Sequence, residues 1–540
     1  LSLWLIVTAC SGVFPGATTT STAPPTTTTA EVITTTTARD CEVEPAESTF
    51  LEDDPVQLSV LLTQAAFACA DQVVVAAGNN ETLLAAAQLA SAVNGPLLII
   101  DDVQDAAAEL TRLQPLHVFV VGDVLPVGIP AGTTTTSLST REAFGEASSR
   151  LGGIPILTGS TFRPLGRIVT ETLSGSTVVR GPTAEASAED VAWTISNDSE
   201  SDRAWLVPFD RPDLVAPALA VAGIRDESLF LVDRASLLGN DDLVTAIRSV
   251  TDREVVAAGD FGADLLSWQL AALQSAPQLP GGGLTFGNRR LVALYGNPTT
   301  SALGVLGEQG PEEAVQRAAE IALGYDADGV PVVLSFEIIA TVASAFAGDD
   351  VNYSEEMPLD VLRPWIEEAD AAGVYVLLDL QPGRTDFLTQ AKAYEEFLRL
   401  PHVGLALDPE WRLDPDQVHL RQIGSVDAAE VNQVSEWLAG VVRENALPQK
   451  LFLLHQFRLD MIENRDQLLT RPELATVIQM DGQGPLHTKY ETWSALTAGT
   501  ENLGVSWGWK NFYDEDTPRG GATPAEVLAL DPVPVYVSYQ

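Results

Sequence analysis

Lysine is almost missing from this chain of 540 residues: it occurs only at positions 392, 450, 489 and 510, while acids number 74 against 30 bases. The formal charge of -44 argues against nucleic acid and anionic headgroups as partners, because both recruit proteins through clustered Lys and Arg. Its plain consequence is solubility. Histidine is scarce as well, with five residues scattered at 117, 402, 419, 455 and 487 and no H-x-x-x-H or C-x-x-C spacing. No dedicated zinc site is expected from that pattern, and no metal or cofactor is called for. Glycines 78, 122 and 259 stand alone, so neither phosphate-cradling motif is present at a strand-to-helix turn. A G-x-S-x-G elbow is absent too. No apolar run reaches the roughly 20 residues a membrane-spanning helix needs.

Cysteine occurs three times, at 10, 41 and 69. The first ends the apolar stretch "LSLWLIVTAC", whose Val7, Thr8, Ala9 and Cys10 resemble the lipobox of bacterial lipoproteins. The resemblance implies a signal over residues 1–10, a lipid on Cys10, and a protein held on the outer face of a bacterial membrane. Residues 11–50 follow as a tether dominated by Thr, Ala and Pro between 17 and about 40, with no period that could bury an apolar face. Outside the cytoplasm Cys41 and Cys69 are expected to pair; a catalytic cysteine is the weaker reading, since no Cys-His signature accompanies either.

Two to four domains fit the length. Residues 51–273 read as an α/β region in which the order strand, helix, strand, helix, strand occurs twice, at about 70–125 ("VVVAA" to "HVFVVGD") and about 200–262 ("WLVPF" to "EVVAAGD"). Continuous apolar strands between amphipathic helices indicate parallel strands covered on both faces, in a duplicated unit. "ETLLAAAQLASAVNGPLLIID" followed by "HVFVVGD" resembles the cell wall-binding repeat 2 family, and "REVVAAGDFG" matches it loosely. That family usually carries three units where two are found here, and an ordinary flavodoxin-like domain is the alternative. The resemblance implies attachment to a wall polymer. An acidic module would need bridging cations or a neutral glycan for that.

After a Pro- and Gly-rich linker at 274–288 come eight short apolar runs, at 290–296, 331–337, 374–380, 403–408, 451–457, 475–481, 503–509 and 533–539. Most are separated by amphipathic helical stretches, so residues 289–540 are expected to form a (β/α)8 barrel of the TIM type, with a doubly wound open sheet as the alternative. No helix follows the eighth run, and the linker or the N-terminal part is expected to cover that side. The fold class is therefore α/β, duplicated units followed by a barrel. Chemistry in such barrels gathers at the carboxyl ends of strands. Those ends carry Tyr295, Asn297, Glu337, Asp379, Gln381, Asp408, Glu410, His455, Gln456, Gln479, Asp481, Trp507, Trp509, Lys510 and Tyr539. Carboxylates flanked by aromatic rings suit the stacking and cleavage of sugars.

"HVGLALDPEW" concentrates that pattern. Asp408 and Glu410 leave the same face of an extended chain, Pro409 fixes the backbone between them, and Trp411 offers an aromatic wall. The segment resembles the fourth-strand signature D-x-x-D-x-D-x-E of family 18 chitinases, with Ala406 and Val403 where the two earlier acids would stand; "QMD" at 479–481 resembles another element of that family, without its tyrosine. The resemblance implies Glu410 as proton donor and Asp408 as the group that orients the substrate. Asp379, Asp481 and Glu337 are the further catalytic candidates, as nucleophile or stabiliser. Tyr295, His455, Trp411, Trp507, Trp509, Lys510 and Tyr539 are the expected substrate contacts. The expected partner is a cell-wall or extracellular polysaccharide, cleaved at this mouth or, alternatively, only bound by a degenerate barrel.

Overall fold

The computed structural model describes Cys41 and residues 49–540, apart from 102–105, 124–127, 151–166, 174–175, 184–192, 195–202, 209–210, 226, 235–236 and 251. Cys10 and the Thr-rich stretch at 17–40 lie outside the described residues, whereas Cys41, Thr49 and Phe50, assigned to the tether by the sequence, are described, the last two as a short strand. Cys41 and Cys69 are joined by a disulfide. No described helix is long and apolar enough to cross a membrane.

All eight apolar runs of the C-terminal half become strands: β1 (Arg290–Gly296), β2 (Val332–Ala343), β3 (Tyr375–Leu380), β4 (Val403–Leu407), β5 (Lys450–Gln456), β6 (Leu474–Met480), β7 (Ser506–Asn511) and β8 (Tyr536–Tyr539). Each pairs in parallel with its sequence neighbours, and β8 pairs with β1, so the sheet closes into a barrel. An open doubly wound sheet is thereby excluded. Successive side chains point to opposite faces, so closure sorts every strand into an inner and an outer set. The inner set of the lower barrel includes Leu291, Ala293, Tyr375, Leu377, Ala406, Leu451, Leu453, Val477 and Tyr536. Gly404 belongs to this layer by necessity, since a Cβ there would lie 2.7 Å from the hydroxyl of Tyr375. Outer residues such as Leu294, Phe336, Leu378 and Leu405 pack on the surrounding helices. Those helices end where their sequences allow it: Gly373, at φ 68°, closes Leu359–Ala372 and turns the chain into β3.

The segment 274–288 docks on the barrel. Leu279 and Phe286 join the interior apolar layer, with Phe286 set edge-on to Tyr375 at 5.0 Å between ring centres. Leu284 O accepts the Gln449 N–H at 2.9 Å, and the Trp268 indole N–H donates to Leu447 O at 2.9 Å. The N-terminal ends of the strands are thus plugged, leaving the opposite rim for chemistry.

Between Cys41 and the linker the chain forms two largely parallel sheets. One has the order Leu97–Ile99, Gln72–Ala76, His117–Val121, Thr134–Leu138; the other runs Thr49–Phe50, Glu254–Ala258, Arg203–Pro208, Ser228–Val232, with Trp193–Thr194 antiparallel at its edge. In each, the first strand of the sequence motif lies between the second and the third. The sheets do not stand apart as separate modules. Helices Asn80–Val93 and Pro212–Ile224 pack on each other, and Val74, Leu89, Trp205, Leu219 and Leu231 belong to one buried core.

Three of the four lysines prove to be internal. Lys450, Lys489 and Lys510 are buried in the barrel half, and Lys392 is exposed. Lys450 donates to the carbonyls of Leu400 and Val403, both at 2.6 Å, and burial pulls its pKa down to about 7.

Candidate active site at the barrel mouth

Seven ionisable side chains meet at the carboxyl ends of the strands. Glu337 comes from β2, Asp379 from β3, Asp408 and Glu410 from the end of β4, His455 from β5, Asp481 from the end of β6, and Lys510 from β7. Six of them are buried, and Glu410 is partly exposed. Asp408 caps the short turn Pro409–Trp411, accepting the backbone N–H of Glu410 at 3.3 Å, which holds the two acids in a fixed relation.

His455 is the hub. Its Nδ1 lies 2.5 Å from Asp481 Oδ2 and its Nε2 lies 2.7 Å from Glu337 Oε1, with Asp379 Oδ1 farther off at 3.6 Å. Burial by itself would lower the His455 pKa; Asp481, Glu337 and Asp379 outweigh it and hold the ring well above its ordinary value, as an imidazolium. The other oxygen of Glu337 accepts the Tyr536 hydroxyl at 2.9 Å. Lys510 Nζ lies 3.1 Å from Asp481 Oδ1, a charge contact set off the line of a good hydrogen bond, and 3.3 Å from the centre of the Tyr295 ring. Tyr295 in turn donates to Asp379 Oδ2 at 3.0 Å and receives the Gln381 amide at 3.3 Å.

The carboxylates are driven apart by these surroundings. Burial would raise Asp481, but Lys510 and His455 hold it below its ordinary value, ionised. Burial raises Asp379 to about 6, with His455 pulling down and Glu337 pushing up. Asp408 is raised well above the carboxylate range by burial and then by Glu410. Glu410 is raised to about 7 by burial, then by Asp481 and Asp379 against the pull of Lys510 and His455. Burial is the main cause of the shift at Glu410.

Tyr295, Glu337, Asp379, Asp408, Glu410, His455, Asp481 and Lys510 are brought together as the sequence suggested. Trp411 stands beside them, half-buried and edge-on to His419 at 5.2 Å, while His419 meets Tyr353 at 6.3 Å. Three expected contacts are misplaced, however. Trp507 and Trp509 face outward and pack on Trp493, at 5.9 and 5.8 Å. Tyr539 also faces outward, sharing a 2.7 Å hydrogen bond with the Tyr325 hydroxyl. The reason is phase: Gly508 and Lys510 take the inner positions of β7, and Tyr536 and Ser538 those of β8, so their odd-numbered neighbours must point away. Tyr536, which holds Glu337, was missed for the same reason; counting by twos along "YVSY" finds it. Ser538, bonded to Gln479 at 2.5 Å, was missed with it.

Among the described residues, Glu337, Asp379 and His455, and likewise Asp408, His455 and Asp481, have ligand-type atoms within 4.8 Å of one another. These donors could surround a divalent ion only if His455 gave up a proton that both its carboxylate neighbours favour. The fold and site define a closed parallel β/α barrel with a carboxylate-lined, histidine-centred mouth. No protein-family model matches the chain, and no curated protein matches it.

Proposed function

We propose that the barrel cleaves glycosidic bonds. The observation that carries this reading is the divergence of acidities within one mouth: Glu410 is pushed up to about 7 and partly exposed, while Asp481 is held ionised and Asp379 reaches about 6. Glycoside cleavage needs one carboxylic acid still protonated near neutrality and one carboxylate facing the positive charge that develops at the sugar carbon. Glu410 supplies the proton to the leaving oxygen. Asp379, whose Oδ1 accepts no hydrogen bond, faces the reacting carbon as nucleophile or stabiliser. Glu337 and Asp481 are tied up by His455, Tyr536 and Lys510 and act as positioning residues. Trp411 offers a wall for the sugar rings.

The finer likenesses belong to the same proposal. The fourth-strand segment points toward chitinase-like chemistry, and a shared strand order in the two N-terminal sheets supports a duplicated wall-binding unit. With a lipid on Cys10, the protein would be a surface lipoprotein acting on wall or extracellular polysaccharide. A purely binding role is favoured by one observation: Ala406, where chitinases carry an aspartate, is part of the apolar barrel core. Glu410→Gln separates the two. Sugar-end release from a chitin, peptidoglycan and polysaccharide panel should vanish in the variant while binding persists; equal release by variant and parent would remove the enzyme reading at this site.

A further inference from the structure

The mouth holds five carboxylates and two cations, and both cations make their closest contacts with one half of it. Glu337 has His455 Nε2 at 2.7 Å and Tyr536 Oη at 2.9 Å; Asp481 has His455 Nδ1 at 2.5 Å and Lys510 Nζ at 3.1 Å. Asp379, Asp408 and Glu410 make up the other half. Asp379 is fully buried, and its Oδ1, aimed into the barrel, receives no hydrogen bond; the nearest cation, His455 Nε2, is 3.6 Å away with its proton directed to Glu337. Asp408 is buried too and, among the described residues, accepts only a backbone N–H, from Glu410. Among the described residues neither Asp408 nor Glu410 has an ion-pair partner of its own.

We infer that Asp379, Asp408 and Glu410 receive a primary ammonium group, and that the glycan cleaved here carries free amino sugars in preference to N-acetylated or neutral ones. This rests on the glycosidase reading. An ammonium brings three N–H donors and no acceptor, which suits three carboxyl groups whose acceptor oxygens are only partly used: Asp379 takes the Tyr295 hydroxyl on Oδ2 alone, and Asp408 takes one backbone N–H. It also carries a single charge on a compact head, whereas a divalent ion in either candidate group would have to share His455 and sit near Lys510. The arrangement fits the reaction as well. A 2-amino sugar places its positive charge next to the carbon where positive charge develops during cleavage, which opposes the reaction. Carboxylates touching that ammonium offset the repulsion, so a surplus of acid at this point has a chemical use.

The test titrates the parent full chain with a thio-linked, non-hydrolysable glucosamine oligomer and its fully N-acetylated counterpart of equal length. Binding of the amine form should be at least about tenfold tighter, a difference of one charge-assisted contact. Asp408→Asn should remove most of the preference with the circular dichroism unchanged. In the parent protein, titration with the glucosamine oligomer near pH 6.5 in buffers of different ionisation enthalpy should show protons released, which needs no variant to fold. Equal affinity for the two oligomers, or absence of proton release, would overturn the inference even if acetylated glycans were cleaved. Preferential amine binding without turnover of any glycan would leave the inference standing and remove the glycosidase reading. Stabilisation by Ca²⁺ or Mn²⁺ alone at submillimolar concentration, with loss of amine binding, would show the mouth to be a metal site and overturn it.

Discussion

Replacing Asp379 by Asn should make this protein more stable and less active, and the stability gain should depend on pH in a defined way. Asp379 is fully buried, and its pKa stands at about 6 against an ordinary 3.8, chiefly because burial opposes its charge. That gap corresponds to roughly 3 kcal/mol at 1.36 kcal/mol per pKa unit, an order-of-magnitude figure. Between those two values the folded state binds more protons than the unfolded chain, so stability falls as pH rises through this window. Above about pH 6 the folded wild type bears the whole cost of the ionised carboxylate; below about pH 4 it bears none. Asn keeps an acceptor for the Tyr295 hydroxyl and carries no charge at any pH. Urea unfolding at pH 4 and pH 8 should therefore give variant and parent similar free energies at the lower pH, and the variant an advantage of about 2 to 3 kcal/mol at the higher one. Glycan cleavage should be lost in the same variant. A variant that is less stable at pH 8, or whose advantage is the same at both pH values, would refute the assignment of Asp379 as a charge whose burial outweighs the pull of His455.

The other expectations concern single contacts. The pH profile of kcat/KM should be a narrow bell, falling below about 6 as Asp379 takes up a proton and above about 7 as Glu410 loses one. Tyr536→Phe removes the hydroxyl that Glu337 accepts, and should lower kcat about tenfold with KM and thermal midpoint little changed, as steady-state kinetics and calorimetry would show. Trp507→Ala should cost about 3 to 5 kcal/mol in denaturant unfolding, from lost outer-layer packing, and leave KM for any glycan unaltered, since the ring points away from the mouth.

The amino-acid sequence by itself determined a good deal. Eight apolar runs, spaced by amphipathic helices, were enough to count the strands, because a strand buried on both faces must be apolar throughout. The acids at the ends of those runs were visible too, as was the pairing of Cys41 with Cys69. Periodicity could not say which way each strand-end side chain points. A fully buried strand is apolar on both sides, so nothing in "LGVSWGW" distinguishes Trp507 and Trp509 from an inward pair, and nothing in "VPVYVSY" marks Tyr536 over Tyr539. Closure of the barrel decided it, by committing small Gly508 and long Lys510 to the narrow interior and the indoles to the roomier helix layer.

Tertiary structure alone also decided the electrostatics. The seven ionisable residues of the mouth are spread over 174 positions, from 337 to 510 inclusive, and the sequence does not indicate which cation serves which acid. Only the folded mouth sets His455 and Lys510 closest to Glu337 and Asp481, with Asp379 farther from His455 at 3.6 Å and, among the described residues, Asp408 and Glu410 in no ion pair. Sequence lists charges along a line, whereas pKa values follow from burial and from distances of a few ångströms, and those exist only once the barrel has closed.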